Sequence, residues 1–154
     1  MQLKLTHISN TRFSTTFENV QASLLDEESA SFFWEKHVTK SGTHFFDNQF
    51  YHPILSEGKR SNIGKWIEDY NNDRSERVEK LLKSEFSWQE QNSVYFCISK
   101  TYILQTSWFE FTSNWMQFLE FESDSPILLN PEKENDIISF SALGLIFKHK
   151  PRES

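Results

Sequence analysis

The chain has 154 residues, which suits one domain with a single buried core. It carries 16 Lys and Arg against 22 Asp and Glu, a net charge of −6. This balance argues against a general nucleic-acid binder, because phosphate neutralisation needs clustered cations. Aromatic residues make up 16% of the chain, which excludes a disordered protein, and only 4 glycines argue against a phosphate-binding loop. We expect a single folded domain over residues 1–154.

The N-terminal half of the chain predicts three helices. The first begins at Asp26-Glu27-Glu28, where acidic residues suit the helix dipole, and ends at Ser41-Gly42. The second begins near the N-cap pair Ser61-Asn62 and ends at 71–73. The third follows directly, with an apolar stripe inside and charged residues outside. The aromatic stretch Thr43–Gly58 has no period, and we interpret it as a long loop whose rings dock on the core.

The C-terminal half predicts five short strands and one inserted helix. The helix begins at a capping box, in which the Ser107 hydroxyl accepts from the Glu110 amide and the Glu110 carboxylate returns to the Ser107 N–H, and ends near Leu119. The fold class is therefore α+β, in the order α-α-α-β-β-α-β-β-β with a mainly antiparallel sheet. The predicted strands are Val94–Ile98, Tyr102–Thr106, Pro126–Asn130, Asp136–Phe140 and Leu145–His149.

No pattern in the sequence predicts a catalytic centre, a metal site or a bound cofactor. Cys97 is the only cysteine, which allows no intrachain disulfide, and its apolar neighbours indicate a buried core thiol. No two histidines have the i,i+3 or i,i+4 spacing of a helical metal site, although a site assembled from distant segments stays open. We expect His37 to be half-buried and His44 and His52 to anchor the aromatic loop. The five histidines are His7, His37, His44, His52 and His149.

The sequence predicts neither a signal peptide nor a membrane span. The N-terminal residues lack an apolar core, and the longest apolar runs are only a few residues. We expect a cytoplasmic protein.

The acidic charge is concentrated in one segment, from Glu120 to Asp136. Its six carboxylates against Lys133 alone give −5 of the total −6. One interpretation is a solvated rim, since charge clusters usually face water. The other is a docking surface for an electropositive partner, because complementary charge speeds association and fixes orientation. The six acids are Glu120, Glu122, Asp124, Glu132, Glu134 and Asp136.

Trp88 is the candidate aromatic for the same surface. It lies between predicted elements, beside Ser87, Gln89 and Glu90, whereas the other four tryptophans lie on predicted apolar helix faces or next to caps. Trp88 is therefore either an exposed anchor for a partner or the residue that closes the third helix onto the sheet.

Several segments of the chain resemble a family of small bacterial domains of unknown function. The resemblance covers about residues 26–149, and its motifs imply structure without catalytic residues. The segments that carry it are Phe33-Trp34, His44-x-Phe46, Val94–Ser99, Thr106–Trp108, Asn114–Leu119, Asp124, Phe140 and Gly144.

In general character the chain also resembles the immunity proteins of contact-dependent growth inhibition and related toxin systems. That resemblance implies a small acidic cytoplasmic protein that binds a cognate toxin domain, often a basic nuclease, and occludes its active or substrate-binding surface. We expect the six acids to meet lysines and arginines of this partner. Two alternatives stay open: a non-catalytic housekeeping interaction domain, which would have no toxin gene beside its own, and a small enzyme with dispersed histidines and carboxylates.

Overall fold

A computed structural model describes residues 5–6, 20–38, 59–120, 126–133 and 136–150 of the protein. This part of the chain contains eight strands and five helices. The strands are β1 (Leu5–Thr6), β2 (Ala22–Leu25), β3 (Lys59–Lys65), β4 (Ser93–Ser99), β5 (Tyr102–Ser107), β6 (Ile127–Leu129), β7 (Ile137–Phe140) and β8 (Leu145–Lys150). The helices are α1 (Glu27–His37), α2 (Ile67–Asn71), α3 (Glu76–Glu85), α4 (Trp108–Ser113) and α5 (Trp115–Leu119).

All eight strands form one sheet in the order β1-β2-β5-β4-β6-β7-β8-β3. Every described pairing is antiparallel. The hairpin β4–β5 lies inside the sheet, and β6, β7 and β8 follow outward from β4 in chain order. The last place in the row is taken by β3, which pairs with β8 across most of its length.

The sheet buries apolar side chains on both faces, and β4 shows why. Side chains alternate along a strand, so Phe96 belongs to one core cluster and Cys97 to the other. The cluster around Cys97 contains Phe33 and Trp34, so α1 packs on this face. The cluster around Phe96 takes residues from α3, α4 and α5. The helices therefore cover opposite faces of one sheet.

The predicted order of elements is wrong in the N-terminal half. Two strands precede α1, and the segment predicted to begin a second helix is strand β3, so the sheet has eight strands rather than about five. The strand was not predicted because β3 lies at the edge of the sheet and most of its residues are exposed. Its sequence therefore lacks the alternation of a half-buried strand. Its Gly64 also disfavours a helix interior. The predicted loop Thr43–Gly58 lies outside the described residues.

The first predicted helix is present as α1. Asp26 is its N-cap, and the carboxylate accepts a hydrogen bond of 2.8 Å from the Ser29 amide. Ala30, Phe33 and Trp34 are buried on the face that α1 turns to the sheet. The five predicted C-terminal strands correspond to β4–β8.

The helix predicted from Ser107 to Leu119 is divided into α4 and α5 at Asn114. The Asn114 side chain donates to the Glu110 carbonyl at 2.9 Å and to the Glu110 carboxylate at 3.1 Å. The Glu110 carbonyl also accepts from the Asn114 backbone amide at 3.0 Å, so both donors of Asn114 meet it where α4 ends. The Ser107 hydroxyl accepts from the Glu110 amide at 3.1 Å, which confirms half of the capping box. The other half, a hydrogen bond from the Ser107 N–H to the Glu110 carboxylate, was predicted wrongly. This carboxylate accepts instead from the Asn114 side chain and from the Gln21 amide.

The turn between β7 and β8 is packed closely against the start of α2. The Trp66 indole N–H donates to the Ser141 carbonyl at 3.1 Å, and the Trp66 amide donates to the Gly144 carbonyl at 2.8 Å. Gly144 has φ of +93°, a conformation that side chains rarely adopt. These contacts fix α2, and with it Tyr70, relative to the sheet.

None of the helices in the described ranges has the length and apolar character needed to cross a membrane.

Candidate functional site

The acidic segment places its described carboxylates at the surface. Glu120 directly follows α5 and is exposed. Glu132 lies in the turn between β6 and β7 and is exposed, and Asp136 in the same turn is half-buried. The two described groups of acids therefore lie before and after strand β6. The other three predicted residues, Glu122, Asp124 and Glu134, lie outside the described residues.

Glu120 is held by a hydrogen bond from α2. The Tyr70 hydroxyl donates to the Glu120 carboxylate at 2.6 Å. Tyr70 is half-buried, and its ring packs edge-on against Trp66 with ring centroids 5.8 Å apart. Because Trp66 is buried and bonded to the β7–β8 turn, this chain of contacts positions the carboxylate from the core outward.

Glu132 is held by a separate group of asparagine side chains. The Asn92 amide donates to the Glu132 carboxylate at 2.8 Å. Asn130 is 2% exposed; its amide donates to Asn92 at 3.2 Å, and its side-chain oxygen accepts from the Glu132 backbone at 3.0 Å. The turn that carries Glu132 is therefore bonded to the loop before β4.

The donors to these two carboxylates are neutral. A phenol or an amide orients a carboxylate and leaves its negative charge in place, whereas lysine or arginine neutralises it. Within the described ranges, neither Glu120 nor Glu132 forms a salt bridge. Among the described residues the two carboxylates are therefore oriented acceptors without a cationic partner.

A cleft of about 620 Å³ opens beside Glu120. One wall is the turn between α2 and α3, and the other is formed by α5 and the end of α4. The Trp115 indole N–H joins the walls by donating to the Ser75 carbonyl at 2.9 Å. The lining residues are Tyr70, Asp73, Ser75, Ser113, Met116, Gln117 and Glu120.

Sequence reasoning missed this cleft. Nothing in the sequence shows that the α2–α3 turn, which carries Asp73, faces α5. The single available signal was Glu120, the first residue of the acidic segment.

Trp88 is 6% exposed, so the interpretation of this residue as a surface anchor is wrong. Its ring packs 5.1 Å from Phe86 and 4.7 Å from Trp108, between centroids. The second alternative is observed, in which Trp88 closes the end of the third predicted helix onto the sheet. Its indole nitrogen is the one buried side-chain polar atom without a hydrogen-bond partner in the described part of the protein.

Cys97 is buried as predicted, with its thiol 3.7 Å from the Tyr95 carbonyl. Burial raises the pKa of this thiol, which disfavours the nucleophilic thiolate. Cys97 therefore fits the core and is unsuited to nucleophilic catalysis.

A buried polar pair, which sequence reasoning did not find, lies on β7 and β8. The Ser139 hydroxyl and His149 Nε2 are 2.8 Å apart. Burial, with a smaller contribution from the charge of Arg60, lowers the pKa of His149 to about 4. The imidazole is therefore neutral at pH 7. The sequence did contain a signal for this pair, because Ser139 and His149 lie in two predicted strands that follow each other along the chain.

The remaining histidines give no candidate metal centre in the described ranges, where no group of three or more His, Cys, Asp and Glu side chains converges. His37 is half-buried as predicted, with its ring centroid 4.4 Å from that of Phe33. His7, His44 and His52 lie outside the described residues.

The described residues form an α+β architecture with one antiparallel eight-stranded sheet, covered by helices on both faces. The model of the family DUF2947, described as a protein of unknown function, matches residues 13–147, and the chain belongs to this family. The predicted resemblance to a family of unknown function is thereby confirmed. Neither a curated protein nor a solved structure matches the chain.

Proposed function

We propose that the protein is an immunity-type binding protein of the cytoplasm, which neutralises a cognate bacterial toxin domain with a basic surface. It acts by covering the toxin's active or substrate-binding surface, without chemistry of its own. The observation that supports this most directly is the pair of exposed carboxylates, Glu120 and Glu132, each oriented by a neutral donor within the most acidic segment of the chain.

The physical basis is the charge that these residues retain. An oriented carboxylate loses little side-chain freedom when it meets a lysine or arginine, so more of the interaction energy contributes to binding. The long-range field of six acids against one lysine would also accelerate encounter with a basic partner. Trp88 has no part in this surface because it is buried.

The test uses a toxin domain encoded beside the gene for this protein. Co-expression should protect cells from that toxin, and the purified pair should associate at a rate that falls as salt rises. The variant E120Q/E132Q keeps both hydrogen bonds, since glutamine offers the same acceptor oxygen, but removes two charges. We expect slower association that is less sensitive to salt, and the charge reversal E122K/D124K/E134K should have a larger effect in the same direction.

The matched control is E27Q/E28Q, which also removes two exposed carboxylates but does so in the first turn of α1. It should leave the association rate nearly unchanged. Failure of the protein to protect against the neighbouring toxin would contradict the proposed function. Equal effects of E120Q/E132Q and E27Q/E28Q would contradict the assignment of the surface.

A further inference from the structure

We infer that the cleft beside Glu120 holds the guanidinium group of an arginine side chain, supplied in the proposed function by the toxin. This inference rests on that proposed function for the identity of the partner, while the cleft and its chemistry can be tested without the toxin. The cleft volume of about 620 Å³ lies within the range of ligand pockets and exceeds what one side-chain head requires.

The charge of the lining selects a cation. Asp73 and Glu120 supply two carboxylates, and no lysine or arginine is among the lining residues of the described chain. Neither carboxylate forms a salt bridge within the described ranges. As far as the described residues show, a cation that enters therefore meets negative charge from both walls and displaces no resident lysine or arginine.

The chemistry of the other lining groups favours guanidinium over ammonium. The hydroxyls of Ser75 and Ser113 and the side-chain amide of Gln117 offer further acceptors for a group with five N–H donors. The thioether of Met116 offers a polarisable surface for a planar and weakly hydrated cation. An ammonium is compact and strongly hydrated, so it gains less from this surface.

The walls are fixed before a ligand arrives. Tyr70 holds Glu120 at 2.6 Å, and Trp115 holds the Ser75 carbonyl at 2.9 Å across the cleft. Preformed walls reduce the entropy lost on binding, which makes even a single side chain a measurable ligand.

The experiment is an NMR titration of the ¹⁵N-labelled full chain with the peptide acetyl-Gly-Arg-Gly-amide. The reporter is the indole N–H of Trp115, which is bonded to the carbonyl of the lining residue Ser75. The comparison peptide replaces arginine with citrulline, which has nearly the same shape and no charge. We expect a saturable shift with the arginine peptide, and an affinity for the citrulline peptide weaker by on the order of tenfold or more.

In the variant D73N/E120Q, the affinity for the arginine peptide should fall to that for the citrulline peptide. Asparagine tolerates the positive φ of +53° at position 73, and glutamine keeps the acceptor for Tyr70, so the cleft geometry is retained. The variant E27Q/E28Q is the control and should bind as the natural chain does. Equal binding of the two peptides, no shift at all, or full binding by D73N/E120Q would each overturn the inference.

The two proposals fail separately. If D73N is neutral for toxin association while E132Q slows it, the cleft inference is wrong and the acidic-surface proposal stands. If the arginine peptide binds in the cleft but the protein protects against no neighbouring toxin, the proposed function is wrong and the cleft still binds guanidinium.

Discussion

Arg77 forms two hydrogen bonds to the carboxylate of Asp69, from Nε at 2.9 Å and from Nη2 at 2.8 Å. The Asp69 side chain is 4% exposed, whereas that of Arg77 is 69% exposed. This hydrogen bond and the charge of Asp69 raise the pKa of Arg77. The pair joins α2 to the first turn of α3. It therefore fixes the turn between these helices, which carries the cleft residue Asp73.

Replacing Arg77 with methionine should lower the melting temperature, because a buried carboxylate is left without its cation. The control is K83M on the same helix, which breaks the exposed Glu79–Lys83 pair at 3.9 Å. That contact is worth only about 0.2–0.5 kcal/mol. In thermal unfolding followed by circular dichroism, R77M should have a lower midpoint than K83M. Equal midpoints would show that the contact between Arg77 and Asp69 adds no stability.

Two buried tryptophans should respond differently to the same substitution. In W115F the hydrogen bond to the Ser75 carbonyl is lost, whereas W88F loses none, since the Trp88 indole N–H has no partner in the described chain. We expect W115F to be less stable than W88F by about 1 kcal/mol. Urea unfolding followed by far-UV circular dichroism measures both, and a larger loss for W88F would contradict the hydrogen-bond assignment.

The substitution G144A should destabilise the protein by about 2–4 kcal/mol, the combined cost of a side chain at positive φ and of overpacking. A Cβ there would lie 2.7 Å from the Cβ of Ile67, which is fixed in α2. The matched control is G64A, whose Cβ would meet only the end of the Leu81 side chain, at 2.6 Å. Since that side chain can rotate, G64A should cost less in a urea titration; the reverse order would mean that the β7–β8 turn can move.

The neutral His149 should make the protein less stable in mild acid. Its pKa is about 4 in the folded protein and 6.5 ordinarily, so the unfolded chain binds a proton first as pH falls. Its contribution is complete above about pH 6.5 and is lost progressively down to pH 4, up to about 3 kcal/mol.

The test of His149 compares the natural chain with H149Q, which keeps a hydrogen-bonding side chain but does not titrate. The free energy of unfolding, measured by urea titration from pH 7 to pH 4, should fall less steeply for H149Q. Identical slopes would show that the pKa of His149 in the folded protein is close to its ordinary value.

The sequence predicted the elements whose pattern is local. A short apolar run between polar residues marked β4, and its closeness to the next run marked the hairpin with β5. Asp26 and Ser107 marked the starts of α1 and α4, because a cap depends only on neighbouring residues. Strand β3 was missed because its pairing with β8 is a distant contact that leaves no apolar period.

The candidate site was predicted only in part for the same reason. The charge of Glu120 and Glu132 is visible in the sequence, but their neutral donors, Tyr70 and Asn92, come from distant positions. Trp88 was left with two interpretations because burial outside a periodic element depends on tertiary contacts.

The position of β3 sets a condition on how the chain folds. Its described strand partner is β8, with Lys59 opposite Lys150 and Lys65 opposite Leu145. During synthesis β3 therefore emerges long before the strand that completes its hydrogen bonds, and pairings so distant in sequence slow folding. Until β8 is made, the backbone N–H and C=O groups of β3 can pair with a strand of another chain. The charges of Lys59, Arg60 and Lys65 discourage this pairing between chains.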